Sequence, residues 1–494
     1  MDVYISGVGM TKFGKSNESL EAMMAEAAAA ALRDAKLEKV DAIYIGVMNV
    51  EEFLGESNFA TLLADTLGLT GIPSTRIETA SSTGAGAFET AFYGIASGYM
   101  KNVLVVAGEK MTHLPTSKTT RILSEVIDRS ERRYGATMPA LAAMIAQRYA
   151  YENKIHPSKF EDILSEIAIK NHFNGSLNPY AQFRNVISKD DYLKSRMISY
   201  PLRLYDCAPI SDGASAIVLT SNPTSIKVSG IGHATDTLAL SHRASLISFN
   251  STKEAAKKAY QMAQVNPSDI QFAEIHDAFT PFEIIGSEDL GLFPPGEGWK
   301  AVEKRITSLN GSLPINPSGG LKSRGHPVGA SGLAQLVEIV FQLRGEAGET
   351  RQLKKADIGL AQSIGGLGNN NFVTIIERTD RKKPIVKGWK LEYQPSIKTP
   401  SKPSPSLHHE EGIGILETFT ILYSPPEGFR SPLSLGFVKT KSGERILACN
   451  PIYRSPDELK IGKSVYLKMR EGIFVFEKRT FSNWIKRVFK LVVK

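Results

Sequence analysis

Cysteine is nearly absent from this chain of 494 residues. Cys207 and Cys449 lie far apart, so the sequence supports neither a disulfide framework nor a cysteine zinc site. Apolar runs of about 20 residues, the length that a membrane helix needs, are also missing. The N-terminus lacks the basic and apolar regions of a signal peptide, and we expect a cytoplasmic location. Hydrophobic residues make up 42% of the chain, enough for a large enzyme core.

Two glycine-rich runs can be aligned directly, and each presents one chemically useful side chain. The run at 76–86 presents Ser81 in a turn before a predicted helix, and the run at 325–332 presents His326 at the equivalent position. A repeated unit of this kind is typical of a duplicated fold. If the two halves pack about a pseudo-twofold axis, Ser81 and His326 meet at one site.

The duplication extends over residues 1–378, which we divide into halves at 1–224 and 225–378. Each half reads as strand, helix, strand, then the glycine-rich turn with its helix, then another apolar strand. The predicted helices are 20–35, 84–97, 253–263 and 329–343, and the predicted strands include 42–47, 103–107, 270–275 and 358–362. Apolar strands that alternate with helices predict an α/β fold with parallel sheets covered on both faces.

The charge changes sign near residue 379. Residues 379–494 hold 22 Lys+Arg against 11 Asp+Glu, whereas residues 1–378 hold 37 against 40. Residues 379–409 are rich in Lys, Pro and Ser, as expected of an extended linker. Beyond the linker, short strands are predicted at 413–423, 433–440, 445–448, 464–470 and 473–477.

These short strands predict a small closed β-barrel, such as an OB-fold, over residues 410–478. Barrels of this kind often bind nucleic acid, but a docking module with a solvated basic surface is the favoured interpretation. Residues 479–494 form a basic amphipathic tail. Such a tail can rest on an anionic membrane surface, although packing on protein is the commoner role.

Residues 1 to about 378 resemble the thiolase superfamily, especially its sterol-carrier or lipid-transfer type and the archaeal relatives. The matching runs are ETASSTG at 78–84, LRLYDCAPISDGAS at 202–215, HDAF at 276–279, EDLG at 288–291, NPSGG at 316–320, GHP at 325–327 and GGLG at 365–368. The resemblance implies the thiolase fold, two duplicated βαβαβ-type halves with a loop domain at about 110–200, a stretch that looks irregular in sequence. The barrel is similar to the OB-fold partner proteins of archaeal thiolases, with PPEGF at 425–429 as its best mark.

Both cysteine positions of the resembled family carry other residues here. Family members with Claisen activity have a nucleophilic cysteine at the position of Ser81, and the lipid-transfer type has a second cysteine at the position of Ala278. A serine hydroxyl is a much weaker acid than a thiol and needs a well-placed base. Ser81 is therefore either a nucleophile with His326 as its base, or a helix N-cap, or a relic of the lost cysteine.

The resemblance gives the two histidines a clearer role. Residues that match His276 and His326 point at the thioester carbonyl oxygen in the family, where a donor can stabilise negative charge by about 3 to 4 kcal/mol. Hydrogen-bonded core histidines are the structural alternative. Gly365, Gly366 and Gly368 either expose amide donors to an oxyanion or only form a tight turn.

The remaining candidates concern the substrate. Arg132, Arg133 and Lys170 in the loop domain could meet coenzyme A phosphates, with a solvated surface as the alternative. We expect no cofactor, because the coenzyme A thioester is itself the substrate. A metal site from His276 and His326 together with Asp277 lacks the usual ligand spacing.

These features predict a protein of the acetyl-CoA C-acyltransferase family that acts at the carbon–carbon bond next to a thioester carbonyl. Thiolysis through a cysteine is excluded, but decarboxylation or retro-aldol cleavage through an enolate needs no acyl-enzyme. Tyr134, Tyr205 and Asp277 are candidate bases for a β-hydroxyl. The alternative is an inactive homologue that serves as a scaffold. Expected partners are acyl-CoA and a second subunit, in a homodimer or with a thiolase or hydroxymethylglutaryl-CoA synthase-like enzyme.

Overall fold

The computed structural model describes residues 1–382, 411–450, 452–470 and 472–478. Most of the predicted linker at 379–409 and the whole predicted tail at 479–494 lie outside these residues. The strands are β1 Tyr4–Met10, β2 Ala42–Gly46, β3 Ser74–Ile77, β4 Asn102–Glu109, β5 Met197–Ser199, β6 Leu202–Arg203, β7 Gly213–Thr220, β8 Ile226–Thr235, β9 Phe272–Ile275, β10 Ile358–Gly365, β11 Asn370–Arg378, β12 Gly412–Leu422, β13 Leu433–Lys439, β14 Arg445–Asn450, β15 Ser464–Arg470 and β16 Ile473–Lys478.

The helices of the duplicated core begin and end close to the predicted residues. The α-helices are α1 Leu20–Ala35, α2 Val50–Leu54, α3 Phe59–Thr66, α4 Thr83–Ala96, α5 Thr116–Leu123, α6 Arg129–Arg132, α7 Met138–Glu152, α8 Pro157–Ser176, α9 Lys189–Lys194, α10 Asn250–Ala263, α11 Thr280–Asp289, α12 Gly298–Glu303, α13 Gly320–Arg324 and α14 Val328–Arg344. Within the described ranges, no helix combines the length and apolar character that a membrane crossing requires.

Nine of the described strands form one sheet in the order β3-β2-β4-β7-β1-β8-β11-β10-β9. The prediction of parallel sheets is wrong in part. Strands β2, β3 and β4 are parallel, as are β9 and β10, but β7 and β11 run antiparallel to their neighbours. These strands are apolar because helices cover both faces of the sheet, and this cover does not require every neighbour to be parallel.

The two glycine-rich helices, α4 and α14, pack directly against each other. A Cβ added at Gly84 would lie 2.7 Å from the Gly329 carbonyl oxygen, and one at Gly332 would lie 3.0 Å from the Ala85 nitrogen. Both distances are tighter than ordinary Cβ contacts, so the glycines permit the close approach. The pseudo-twofold arrangement therefore brings the N-termini of the two equivalent helices together.

The region at 110–200, which looks irregular in sequence, is mainly helical, with α5 to α9 inside it. The longest helices there are α7 and α8, and α7 packs against the barrel strand β12. Helix α7 is apolar on nearly every face, with residues 140–146 all buried. A helix covered on all sides shows no amphipathic period, which explains why the pattern did not reveal it.

The C-terminal barrel is closed, and its described strands agree with the predicted ones to within two residues at each end. Strand β12 pairs with β13 and β15, β13 with β14, β14 with β16, and β16 with β15. Its assignment as an OB-fold stays a prediction. Strand β12 also pairs with β5 through Leu422 and Ser199, so the barrel sheet continues into the helical region.

Candidate active site

A cavity of about 470 Å³ lies where the two halves, the helical region and the barrel meet. Ser81, His276, His326 and Gly366 all border it. Most other lining side chains are apolar and include Met48, Met111, Met138, Phe282, Val328 and Leu422. A concave, mostly apolar site with a few convergent polar groups is the usual form of a small-molecule binding site.

Ser81 lies in the turn between β3 and α4. The preceding residue, Ala80, has a φ of 55°, a left-handed conformation that is uncommon for a residue with a side chain. Ser82, not Ser81, occupies the N-cap position of α4, so the N-cap interpretation of Ser81 is wrong. The Ser81 hydroxyl donates to the Ile364 carbonyl oxygen at 3.1 Å. In the described part of the chain it has no hydrogen bond to His276 or His326, so Ser81 forms no hydrogen-bonded dyad with either ring.

His276 follows strand β9, and its ring is almost fully buried. The Ile364 backbone N–H donates to its Nδ1 at 3.3 Å. A nitrogen that accepts a hydrogen bond carries no proton, so the proton of the neutral ring is on Nε2. Burial, followed by the nearby His326 and Arg324, holds the pKa of His276 well below its ordinary value. His276 is therefore a neutral donor through Nε2–H.

His326 lies between Gly325 and Pro327 at the start of α14. Its Nδ1 is 2.7 Å from the Ser331 hydroxyl, which itself donates to the Pro327 carbonyl oxygen at 2.8 Å. Since the hydroxyl has only one hydrogen, Nδ1 donates to it and Nε2 keeps a free lone pair. Burial, followed by the charge of Arg324, lowers the pKa of His326 to about 3. His326 is therefore a neutral acceptor through Nε2.

The two imidazoles are thus in opposite tautomers beside one cavity. Their ring centroids are 5.2 Å apart, and the ring planes are nearly perpendicular at 89°. Ile364 holds both Ser81 and His276 through its backbone, while Ser331 holds His326. One ring can donate to a developing negative charge, and the other can accept a proton in the same space.

The three glycines of the turn after β10 have different environments. Gly366 borders the cavity, and its N–H has no hydrogen-bond partner among the described residues. A Cβ at Gly365 would lie 2.6 Å from the Ser82 hydroxyl oxygen, and one at Gly368 would collide with the Phe249 ring. The Gly368 N–H also closes the turn onto the Gly365 carbonyl oxygen at 3.2 Å. Of the three, only Gly366 borders the cavity, while the other two permit close packing.

The predicted phosphate-binding cations do not border the cavity. Lys170 donates to the Glu283 carboxylate at 2.6 Å and to the Ile315 carbonyl oxygen at 2.9 Å, and its role in phosphate binding stays a prediction. Arg133 lies over the Tyr134 ring and donates to its hydroxyl at 3.1 Å, and Arg132 is likewise outside the cavity wall. The cation that does border the cavity is the exposed Arg196, which sequence reasoning missed.

The three suggested bases for a β-hydroxyl are also outside the cavity wall. Asp277 is buried and accepts from Leu321 N at 2.6 Å, and burial, followed by the charge of Glu283, raises its pKa to about 7. Tyr134 accepts from the barrel backbone at Phe474 N. Tyr205 packs edge-on against a histidine ring. Of the bases considered, only His326 faces the cavity.

Cys207 is partly exposed and borders the cavity. Desolvation raises the pKa of its thiol to about 12, so the group is a neutral thiol at physiological pH. Among the described residues, no cluster of three or more His, Cys, Asp and Glu side chains is arranged to hold a metal ion.

Two further groups that hold the site escaped the sequence analysis. Ser331 follows His326 by five residues, one turn into α14, and this spacing was a usable signal. Ile364 acts through its backbone N–H and carbonyl group, so its side-chain identity gives no signal.

Comparison with known proteins identifies the two halves. The family model for the thiolase N-terminal domain matches residues 3–223, and that for the thiolase C-terminal domain-like region matches residues 232–378. An acetyl-CoA acetyltransferase of Methanothermobacter thermautotrophicus is 40% identical over 389 residues, covering 76% of this chain and 100% of the relative. Sterol carrier protein 2 of Bos taurus is 35% identical over 397 residues, covering 76% of this chain and 72% of the relative.

Solved structures share the fold at lower sequence identity. A structure named Ltp2-ChsH2(DUF35) aldolase superposes with a TM-score of 0.66 at 22% identity, covering 77% of this chain and 99% of that chain. A monomeric SCP2-thiolase like protein type 1 from Mycobacterium smegmatis superposes with a TM-score of 0.74 at 17% identity, covering 97% of this chain and 99% of that chain. The second likeness extends over the C-terminal barrel as well as the duplicated core.

Proposed function

Because the chain belongs to the thiolase family, we propose that it acts on an acyl-CoA at the carbon–carbon bond next to the thioester carbonyl, through an enolate and without a cysteine nucleophile. The observation that carries this proposal is the pair of opposite tautomers at His276 and His326. The name of one relative, acetyl-CoA acetyltransferase, supports an acyl-CoA as the substrate. The neighbour named as an aldolase supports carbon–carbon bond chemistry.

Retro-aldol cleavage of a β-hydroxyacyl thioester assigns each group one task. His326 Nε2 takes the proton of the β-hydroxyl, the bond between the α- and β-carbons breaks, and the β-carbon leaves as an aldehyde or ketone. The electron pair moves to the thioester oxygen, which becomes an enolate that accepts from His276 Nε2–H and the Gly366 N–H. The His326 imidazolium then returns the proton to the α-carbon, which gives the shorter acyl-CoA.

Decarboxylation of a malonyl-type thioester uses the same donors. The bond to the carboxylate breaks, carbon dioxide leaves, and the electron pair forms the same enolate, whose α-carbon then takes a proton from solvent. In both reactions the negative charge on the thioester oxygen develops only as the carbon–carbon bond breaks. A fixed donor in a desolvated site therefore stabilises the transition state more than the substrate, typically by about 3 to 4 kcal/mol for each donor.

The low pKa of His326 is compatible with its role as the base. The imidazole stays neutral at physiological pH, because its pKa of about 3 lies far below that range. As the enolate forms beside it, the new negative charge favours the imidazolium and raises the proton affinity of the ring. The base thus becomes stronger as the reaction proceeds.

A second candidate function is a scaffold that binds acyl-CoA without turnover. The observation that favours it is the hydroxyl of Ser81, which occupies the family's cysteine position and donates to Ile364 instead of meeting a base. Such a chain would act in a homodimer or beside a thiolase or hydroxymethylglutaryl-CoA synthase-like enzyme. The aldolase neighbour, whose name includes a DUF35 component, supports an assembly of this general kind.

The proposal can be tested by incubating the purified chain with malonyl-CoA, β-hydroxyacyl-CoA and acetoacetyl-CoA. Products are followed by mass spectrometry. We expect cleavage of one of the first two substrates and a loss of about 10²- to 10³-fold in His276→Ala. His172→Ala is the matched control, because His172 is also buried but does not border the cavity. Tight acyl-CoA binding with no product from any substrate would contradict the enzyme and favour the scaffold.

A further inference from the structure

The C-terminal barrel forms part of the cavity wall. Leu422, the last residue of β12, and Ser424, two residues later, border the same cavity as Ser81 and the two histidines. Helical-region residues 137–139 and the strand residue Ile198 complete this side of the wall. An acyl group bound at the histidines therefore shares its space with the barrel of the same chain.

Backbone hydrogen bonds fix the position of Leu422. The Tyr200 N–H donates to the Ile421 carbonyl oxygen at 3.1 Å, and the Tyr423 N–H donates to the Ile198 carbonyl oxygen at 3.0 Å. These two bonds flank Leu422 on both sides. The barrel end is thus joined to the helical region as one continuous sheet, which prevents Leu422 from shifting independently.

Side-chain contacts fix the barrel at a second place. Arg445 on β14 pairs with Glu417 at 2.5 Å and donates to the Arg243 carbonyl oxygen at 2.8 Å. The Arg243 guanidinium in turn donates to the carbonyl oxygen of Leu367, the residue after Gly366. The barrel is therefore connected, through a buried arginine, to the turn that presents the cavity amide.

From these contacts we infer that the barrel is a fixed part of the acyl-binding site, and that Leu422 limits the length of the acyl group that fits. This inference rests on the proposed function only in taking an acyl-CoA as the ligand. The wall near Leu422 is apolar, and a pocket of this kind discriminates one methylene by about tenfold or more. Truncation of Leu422 should open space for a longer chain, and a larger side chain should close it.

The test uses the full-length protein and straight-chain saturated acyl-CoAs of increasing length, with affinity measured by calorimetry. In Leu422→Ala we expect the preferred acyl chain to be longer than in the unmodified protein. The ratio of the affinity for longer chains to that for shorter chains should increase by about tenfold. Leu422→Phe should shift the preference the other way. Leu435→Ala is the matched control, because Leu435 is an equally buried barrel leucine outside the cavity wall.

The outcomes separate this inference from the proposed function. The inference would be overturned if affinity depends on acyl-chain length in Leu422→Ala and Leu422→Phe as it does in the unmodified protein. This holds whether or not the protein turns substrate over. A shifted profile without turnover in the unmodified protein would support the inference and contradict the proposed reaction. If the unmodified protein binds no acyl-CoA, both are overturned.

Discussion

Replacement of His326 by asparagine should change how stability depends on pH, since the folded state keeps this ring neutral. Its pKa of about 3 in the folded protein lies below the ordinary value of about 6.5 in an unfolded chain. As the pH falls below about 6.5, the unfolded state takes up a proton that the folded state does not bind. The contribution of this ring to the free energy of unfolding is therefore greatest above pH 6.5 and decreases as the pH falls.

The size of the effect follows from the shift. At pH 5 the unfolded ring lies 1.5 pH units below its pKa, which corresponds to about 2 kcal/mol, and contact of the ring with the cavity reduces this to about 1–2 kcal/mol. The carboxyls with raised pKa values, such as Glu109 and Asp277 at about 7, act in the opposite direction. They are present in both proteins, so their contribution cancels in the comparison.

Urea unfolding at pH 7 and pH 5 measures this difference directly. Between the two pH values, the unmodified protein should lose about 1–2 kcal/mol more than His326→Asn. The exposed His242 provides a control, because its ring meets water in both states, and His242→Asn should behave like the unmodified protein. If the unmodified protein and His326→Asn lose equal free energy of unfolding between the two pH values, the folded state protonates the His326 ring freely. That result would refute the claim that His326 is a neutral base.

Three further substitutions test individual contacts. Ser81→Ala should change turnover by less than tenfold, because the hydroxyl forms no hydrogen bond with His276 or His326. A covalent acyl adduct on the unmodified protein but not on Ser81→Ala would contradict this and show that Ser81 is a nucleophile. Ser331→Ala removes the partner of His326 Nδ1, so kcat should fall by about 10- to 100-fold with KM nearly unchanged, and a change in KM alone would contradict a positioning role. Arg196→Ala should raise KM for the coenzyme A thioester with kcat unchanged, more strongly at low salt, and a salt-independent effect would argue against an anion contact.

The elements with a strong local signal were predictable from the sequence. The alanine-rich helix α1, the glycine turns at α4 and α14, and the five barrel strands carry their periodicity and turn residues within short segments. The meeting of α4 and α14 followed from the repeat itself. Antiparallel pairing by β7 and β11 was missed, because strand direction depends on partners far away in the chain.

The candidate site was predictable only where a motif marked it. His276 and His326 lie at strand and helix ends, within recognisable sequence motifs. Their tautomers, however, depend on Ile364 and Ser331, which no motif marked. The ion pair of Lys170 could not be foreseen, because its partner, Glu283, comes from a helix more than a hundred residues away. The contribution of Leu422 could not be foreseen, since it depends on a backbone pairing between β5 and β12.

Exchange of the α-hydrogen of a saturated acyl-CoA in deuterium oxide tests the central claim most directly. The exchange breaks the α-carbon–hydrogen bond and passes through the enolate, but it breaks no carbon–carbon bond. The account predicts deuterium at the α-carbon, detected by mass spectrometry, with the unmodified protein and with Ser81→Ala. Exchange should fall by about 10²- to 10³-fold in His276→Ala. If the unmodified protein catalyses no exchange, an enolate stabilised by the histidine pair is contradicted. Loss of exchange in Ser81→Ala but not in His276→Ala would contradict it as well.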